Sequence, residues 1–384
     1  MTIEHLIKAE AERLGFTISG ITTPDPPVSF PRYKSWIESG HHAGMDYLAT
    51  PRASTARANP RTLLSECQSI LVLGIPYARP PVDAGFPEGH SPFPLTGKIA
   101  AYAWGEDYHN IITPRLEKLA KWLQNQLDMK EFSWKGYTDT GPILEHDLAM
   151  RAGLGWIGRN TNMIHPRKGS YFFLAELLLP VTLQPDEPFE QDRCGSCQRC
   201  IQACPTGCIL PDRTIDAARC ISYLTIENKA DIPVNLRPGL GNMVFGCDIC
   251  QSVCPWNNKS TRAKIDPIFH PDPIHPGLDL HTVFDLSPQE FNTQYSGSPL
   301  KRAKRRGILR NCAVVLGNFP HSTHIPVLKK VLTTEFEPLV RGHAAWALGN
   351  IRDQKAVEAL KEALQTENDL PVLTEIRNAL NQLK

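Results

Sequence analysis

Eleven cysteines occur in the 384-residue chain, and nine of them fall between positions 194 and 254. Cys194, Cys197, Cys200 and Cys204-Pro205 follow C-x2-C-x2-C-x3-C-P, and Cys247, Cys250 and Cys254-Pro255 repeat its closing half. Two-residue gaps let a tight loop present three thiolates to one iron–sulfur cube, with main-chain N–H groups aimed at the sulfides. Paired C-x2-C also suits tetrahedral zinc. Zinc, however, needs neither two C-x3-C-P endings nor eight suitably placed thiols, so the spacing points to two [4Fe-4S] clusters. Cys67 and Cys312 stand alone among apolar neighbours and read as small buried hydrophobes.

In two-cluster ferredoxins the cysteine before proline ligates the other cluster. Applied here, that crossover gives a first set of Cys194, Cys197, Cys200 and Cys254. The second set takes Cys204, Cys247, Cys250 and one more, from Cys220 or Cys208. Cys208 lies one helical turn past Cys204, in a segment whose direction is already set, and reads as a packed thiol; Cys220 is the expected ligand. Two linked clusters conduct single electrons, and such a wire needs a redox terminus.

The densest stretch of unusual residues is TDTGPILEHDLAMRAGLGWIGRNTN, residues 138–162. Asp139 falls where a strand meets a turn, and reads either as a general acid or as a turn or cap residue. Glu145 and His146 follow on a helix and read as solvated or structural. Gly153, Gly155 and Gly158 flank Trp156, so the backbone there can approach a flat ligand. No P-loop, G-x-G-x-x-G or serine elbow is present.

Around these residues the first 185 positions alternate helix and strand signals. Strands are expected at 16–22, 69–77 and 132–139, with an amphipathic helix at the start and a long one over 108–127. Residues 171–183, YFFLAELLLPVTL, carry Glu176 and are too short to span a bilayer. The start lacks the features of a secretory signal, so the expected compartment is the cytoplasm, where disulfides are disfavoured. The net charge of +1 gives no chain-wide field.

Local charge is another matter. Lys301, Arg302, Lys304, Arg305, Arg306 and Arg310 place six cations within ten residues, and no acid occurs from Phe291 through Thr334. Residues 311–318 repeat at 343–350, a shift of 32, and 325–332 repeat at 357–364, the pattern of stacked helix pairs of HEAT type. A basic segment beside such a binding surface suits a phosphate backbone, and sparse aromatics favour shape recognition of a folded RNA. The whole reads as a multidomain α+β chain. It has an α/β ligand domain (1–185), a two-cluster ferredoxin-like insert (186–284) and a basic HEAT-like α-solenoid (285–384).

The order of parts resembles the epoxyqueuosine reductase family of tRNA-modifying enzymes. The resemblance is carried by GEDYH (105–109), DTGPILE (139–145), AGLGWIGRNTN (152–162), the CGSCQRCIQACPTG run, RCISYLTIE (219–227), GCDICQSVCPWN and LKRAKRRGILRN (300–311). It implies a base-off cobalamin on the N-terminal domain, reduced through the clusters by an external low-potential electron donor. Cob(I)alamin would attack the epoxide-bearing ring on the wobble base of tRNA. Asp139 matches the family's proton donor and Cys220 its remaining cluster ligand. Arg57, Tyr102, Gly155, Trp156, Arg159, Asn160 and Ser222, with Asp139, fall in segments matching cobalamin contacts. The chain lacks D-x-H-x-x-G, as a cofactor without a protein histidine below cobalt requires. A monomer acting on epoxyqueuosine-containing tRNA, without a membrane partner, is expected. The alternatives are a reductive dehalogenase-like cobalamin enzyme acting on a small molecule, or an iron–sulfur electron-transfer adaptor.

Overall fold

The computed structural model describes residues 1–79, 96–259, 265, 267–269 and 277–383. The backbone gathers into two compact units, each drawn from three separated stretches. Met1–Val82, Gly105–Ala218 and Ile249–Pro271 make the first, and Asp83–Trp104, Arg219–Asp248 and Asp272–Lys384 the second. The cysteine-rich stretch is divided, with residues 219–248 in the second unit and its flanks in the first.

In the first unit a four-stranded sheet carries the architecture. Phe172–Leu179 is apolar apart from Glu176, and all of its residues are buried, as a central strand covered on both faces requires. It pairs antiparallel with Ser69–Pro76 on one side and Lys135–Tyr137 on the other, and Ile18–Thr22 adds antiparallel beyond Ser69–Pro76. The strand expected over 132–139 shortens to three residues, and two residues beyond it Asp139 takes a left-handed backbone, φ +62°. The expected long helix is Tyr108–Gln126, capped by Asp107, whose carboxylate accepts the His109 N–H. It buries Ile112, Leu116, Leu119 and Leu123 and packs on the sheet and on the first helix, Ile3–Arg13.

After the central strand, residues 180–193 run to the first cysteine loop and are pinned on the way. Asp186 accepts from Lys8 Nζ at 2.6 Å and from the Ile21 N–H at 2.7 Å. The Phe189 N–H bonds the Met150 carbonyl at 2.9 Å.

In the second unit, Thr96–Ile99 pairs parallel with Met243–Phe245 and antiparallel with Gly277–Asp279. The rest is a helical stack. Lys304–Asn318, Pro338–Asn350 and Leu370–Gln382 form one layer, and Ile325–Thr334 and Gln354–Thr366 the other. The 32-residue repeat has a packing cause. A Cβ on Gly317 would lie 2.4 Å from the Trp346 ring, and one on the equivalent Gly349 2.6 Å from Ala379. Each repeat spends a glycine at one helix position so that the next layer helix can close on it.

Candidate active site

Asp139 sits at the heart of the polar cluster on the first unit. Its left-handed backbone, costing on the order of 1 kcal/mol for a non-glycine residue, is held from two sides. The Asp139 N–H donates to Glu145 Oε1 at 2.7 Å, and the Tyr108 hydroxyl donates to Asp139 Oδ2 at 2.7 Å. His109 Nε2 lies 3.8 Å from the same oxygen, while its Nδ1 meets Asp107 Oδ1 at 2.7 Å. Tyr108 is kept in place by stacking on Phe173, with centroids 4.5 Å apart. The cap reading of Asp139 falls away. The next helix, Glu145–Arg151, has Leu144 at its cap, and the Asp139 carboxyl is half exposed.

Glu145 is more than a solvated helix residue. Behind it lies Glu176, fully buried in the central strand, with neither carboxyl oxygen meeting a hydrogen-bond partner in full bonding geometry. The two carboxyls nonetheless lie close enough to interact directly. Burial and then the Asp139 charge push the Glu145 acid up to about 8, against the pull of the Asp139 N–H and Arg57. Burial, then the charges of Glu145 and Asp139, push Glu176 well above the usual carboxylate range. Arg57 is therefore brought within electrostatic reach of this cluster, with its guanidinium over the Tyr33 ring at 5.4 Å.

The glycine-rich segment lies against the cysteine loops. Gly155 is filled by its own fold: a Cβ there would lie 2.0 Å from the Ile164 carbonyl oxygen across the Trp156–Ile157/Met163–Ile164 hairpin. Trp156 is buried, packs with Cys254, Phe189 and Trp256, and donates from Nε1 to Cys194 Sγ at 3.4 Å. Arg159 donates to the Gly195 carbonyl at 2.8 Å, Asn160 Nδ2 to the Cys250 carbonyl at 3.3 Å, and Asn162 Nδ2 to Cys250 Sγ at 3.8 Å. These side chains border the cysteine loops.

Two of the cysteine loops meet within the first unit. The helices Arg199–Ala203 and Ile249–Ser252 pack together. Burial raises the Cys200 and Cys254 thiols, and the charges of neighbouring cysteines add to it: Cys194 and Cys254 on Cys200, Cys194 and Cys197 on Cys254. Cys194, Cys197, Cys200 and Cys254 thus form one neighbourhood, although among the described residues no three such groups close on a single ion. Of the second set, Cys204 and Cys250 belong to the first unit, and Cys220, at the cap of Ile221–Ile226, and Cys247 to the second. Cys208 is buried, as expected, with its sulfur 3.4 Å from Cys204 Sγ. That thiol contact holds Cys204 down to about 4. Tyr102 and Ser222 lie in the second unit, Tyr102 with its ring 6.1 Å from Phe245.

The basic segment needs a correction. Arg310 is fully buried and donates to the carbonyls of Leu224, Asn228 and Ala230 at 2.6, 2.8 and 2.7 Å. It is a staple of the second unit and offers nothing to a phosphate. Arg305 forms a two-pronged pair with Glu335, at 3.1 and 2.7 Å, and also bonds the Leu286 carbonyl. Lys301 and Lys304 are exposed, and Arg302 and Arg306 partly so. Lys301, Lys304, Arg305 and Arg306 line a cleft of ≈ 550 Å³ with Asn292 and Phe336.

Sequence reasoning missed Tyr108, His109 and Glu176 as site residues and undervalued Glu145. GEDYH at a helix start and a lone acid inside YFFLAELLL were the available signals.

Two C-x3-C-P thiol loops and a strained, half-exposed acid, on a chain that also carries stacked helical repeats, place the protein among iron–sulfur oxidoreductases. The 4Fe-4S double cluster binding domain model matches residues 193–257, the HEAT repeats model 300–381, and the Epoxyqueuosine reductase QueG model 57–140. Epoxyqueuosine reductase of Pseudomonas aeruginosa is 39% identical over 89% of this chain and 92% of its own length. That of Escherichia coli is 38% identical over 89% and 88%. A selenomethionine-labelled epoxyqueuosine reductase structure superposes with TM-score 0.90 at 30% identity, covering 100% of this chain and 99% of the other. An epoxyqueuosine reductase solved with an epoxyqueuosine-modified tRNA-Tyr stem loop gives 0.88 at 30% identity, covering 99% and 98%. The chain belongs to the epoxyqueuosine reductase family. These relatives support the reductase reading over the dehalogenase and adaptor ones. Among the described residues no helix is long and apolar enough to cross a membrane.

Proposed function

We propose that the protein reduces epoxyqueuosine at the tRNA wobble position to queuosine, with Asp139 as the acid. Converting the epoxide to a cyclopentene and water consumes two electrons and two protons. The observation that carries the assignment is the half-exposed Asp139 carboxyl, oriented by the Tyr108 hydroxyl at 2.7 Å and flanked by His109. An acid so oriented delivers its proton to the departing oxygen without first searching rotamers. His109, aligned by Asp107, sets a second proton-carrying group beside it.

For the electrons, Cys194, Cys197, Cys200 and Cys254 would hold one cluster, and Cys204, Cys220, Cys247 and Cys250 the other. Thiolates suit [4Fe-4S] iron, and the clusters supply single electrons from an external low-potential donor. Cobalamin fits the unmet polar atoms of the segment assigned to it. Among the described residues, Arg159 Nε and Asn160 Oδ1 are buried without hydrogen-bond partners, one a donor and one an acceptor, and corrin side-chain amides offer both. When bound, the cofactor supplies a two-electron metal nucleophile. Asp139, Arg57, Gly155, Trp156, Arg159, Asn160, Tyr102 and Ser222 are the residues proposed to hold it. Lys301, Arg302, Lys304 and Arg306 form the proposed tRNA phosphate surface, a reading supported by the stem-loop complex of the relative. The protein is proposed to act as a monomer in the cytoplasm.

The test is anaerobic single turnover on epoxyqueuosine-containing tRNA. Asp139→Asn is expected to keep its iron, sulfide and tRNA affinity while the rate falls at least a hundredfold. A wild-type rate would overturn the assignment.

A further inference from the structure

A carboxylic acid in the middle of an otherwise apolar central strand calls for an explanation. Leucine would fill the Glu176 position without the burden of an ionisable group, and register partners Val72 and Tyr137 offer Glu176 no positive charge. Among the described residues, the charges that act on it are those of Glu145 and Asp139, both acidic. Glu145, in turn, faces Asp139 from the turn, Glu176 from the strand and Arg57 from helix Pro51–Ala58. Arg57 acts on Glu145 and His109 lies beside Asp139, but neither faces the buried Glu176, and burial disfavours ionising the inner two carboxyls together, so the pair retains a proton near neutrality. The far end of this pair is the 2.7 Å bond from the Asp139 N–H to Glu145 Oε1, one of the two contacts holding Asp139 in its left-handed turn.

We propose that Glu145, backed by the buried Glu176, is a positioning residue for Asp139: its Oε1 grips the Asp139 main-chain N–H. The inference rests on the reading of Asp139 as the acid. Neither glutamate touches the substrate. The pair fixes the turn from which the acid is presented, and its charge sets the field at that acid. Raising the pH through about 8, where Glu145 ionises, adds a negative charge behind Asp139. The geometry of the turn and the electrostatics of the pair are thus tied together, and one amide substitution separates them. Glutamine at 145 keeps an oxygen acceptor for the N–H but cannot ionise.

The experiment compares wild type, Glu145→Ala, Glu145→Gln and Asp139→Asn in single turnover from pH 6 to 9, with tRNA affinity measured alongside. Glu145→Ala is expected to lose at least tenfold in rate at unchanged tRNA affinity. Glu145→Gln is expected to recover most of that loss and to lack the wild-type change of rate near pH 8. A second readout uses cobalamin-free protein. Infrared pH-difference spectra are expected to show a protonated buried carboxyl near neutrality that disappears in Glu176→Gln. If Glu145→Ala matches wild type in rate and pH profile while Asp139→Asn is inactive, the positioning inference fails and the acid assignment stands. If Asp139→Asn is itself active, the acid assignment fails first. Absence of the carboxyl band in wild type would also overturn the shared-proton pair.

Discussion

The reassignment of Arg310 from tRNA contact to internal staple makes a quantitative prediction. Arg310→Met removes a guanidinium that satisfies three main-chain carbonyls and bonds Asn311 Oδ1 at 3.0 Å. Each charge-assisted bond to a buried carbonyl is worth about 1.5–3 kcal/mol, and a carbonyl left bare costs about 1–3 kcal/mol. Against this, methionine relieves the burial of a cation, a burial that already depresses Arg310 to about 10. The net loss is about 3–5 kcal/mol, which for a unit of this size lowers the unfolding midpoint by roughly 10 °C. The assay is thermal and denaturant unfolding of the full chain beside tRNA binding at several salt concentrations. Lys301→Ala and Lys304→Ala serve as comparators, since each exposed cation that meets a phosphate lowers the salt slope by about one without touching stability. An Arg310→Met protein that unfolds like wild type yet binds tRNA more weakly would refute the reasoning.

Two further outcomes follow from the site. Cys208→Ser should retain the full iron content, because Cys208 is a packed neighbour of Cys204, whereas Cys220→Ser should lose a cluster's worth. Iron analysis of the two variants checks this, and the reverse result would exchange their roles. Because Glu145 holds its proton more tightly folded than unfolded, its contribution to stability is complete below about 4.5 and is lost as the pH rises through about 8; Glu176, shifted in the same direction by burial and then by the Glu145 and Asp139 charges, adds to that decline. Glu176→Gln should flatten that decline in unfolding midpoint against pH; parallel curves would contradict it.

The parts legible in the sequence were those written in local spacing. C-x2-C-x2-C-x3-C-P sets a loop by itself, and the 32-residue period records a packing rule that Gly317 and Gly349 each obey. What the sequence hid was long-range. Arg310 looks like its basic neighbours, yet it is one helical turn past Arg306 and points into carbonyls more than 80 positions earlier in the chain. Glu176 reads as a break in an apolar run until the sheet sets it behind Glu145. The glycine-rich stretch reads as a ligand loop from sequence, but its contacts are with Cys194 and Cys250, more than 35 positions later in the chain. Asp139 could be placed at a turn from sequence, whereas its φ of +62° and the Tyr108 hydroxyl that aims it depend on a helix some thirty residues earlier.

Iron and acid-labile sulfide determined on anaerobically prepared, full-length protein bear most directly on the central claim, that two thiolate sets feed the Asp139 site. The account predicts about eight iron and eight sulfide per chain, with zinc absent. A colourless protein carrying about two zinc and no sulfide would contradict it.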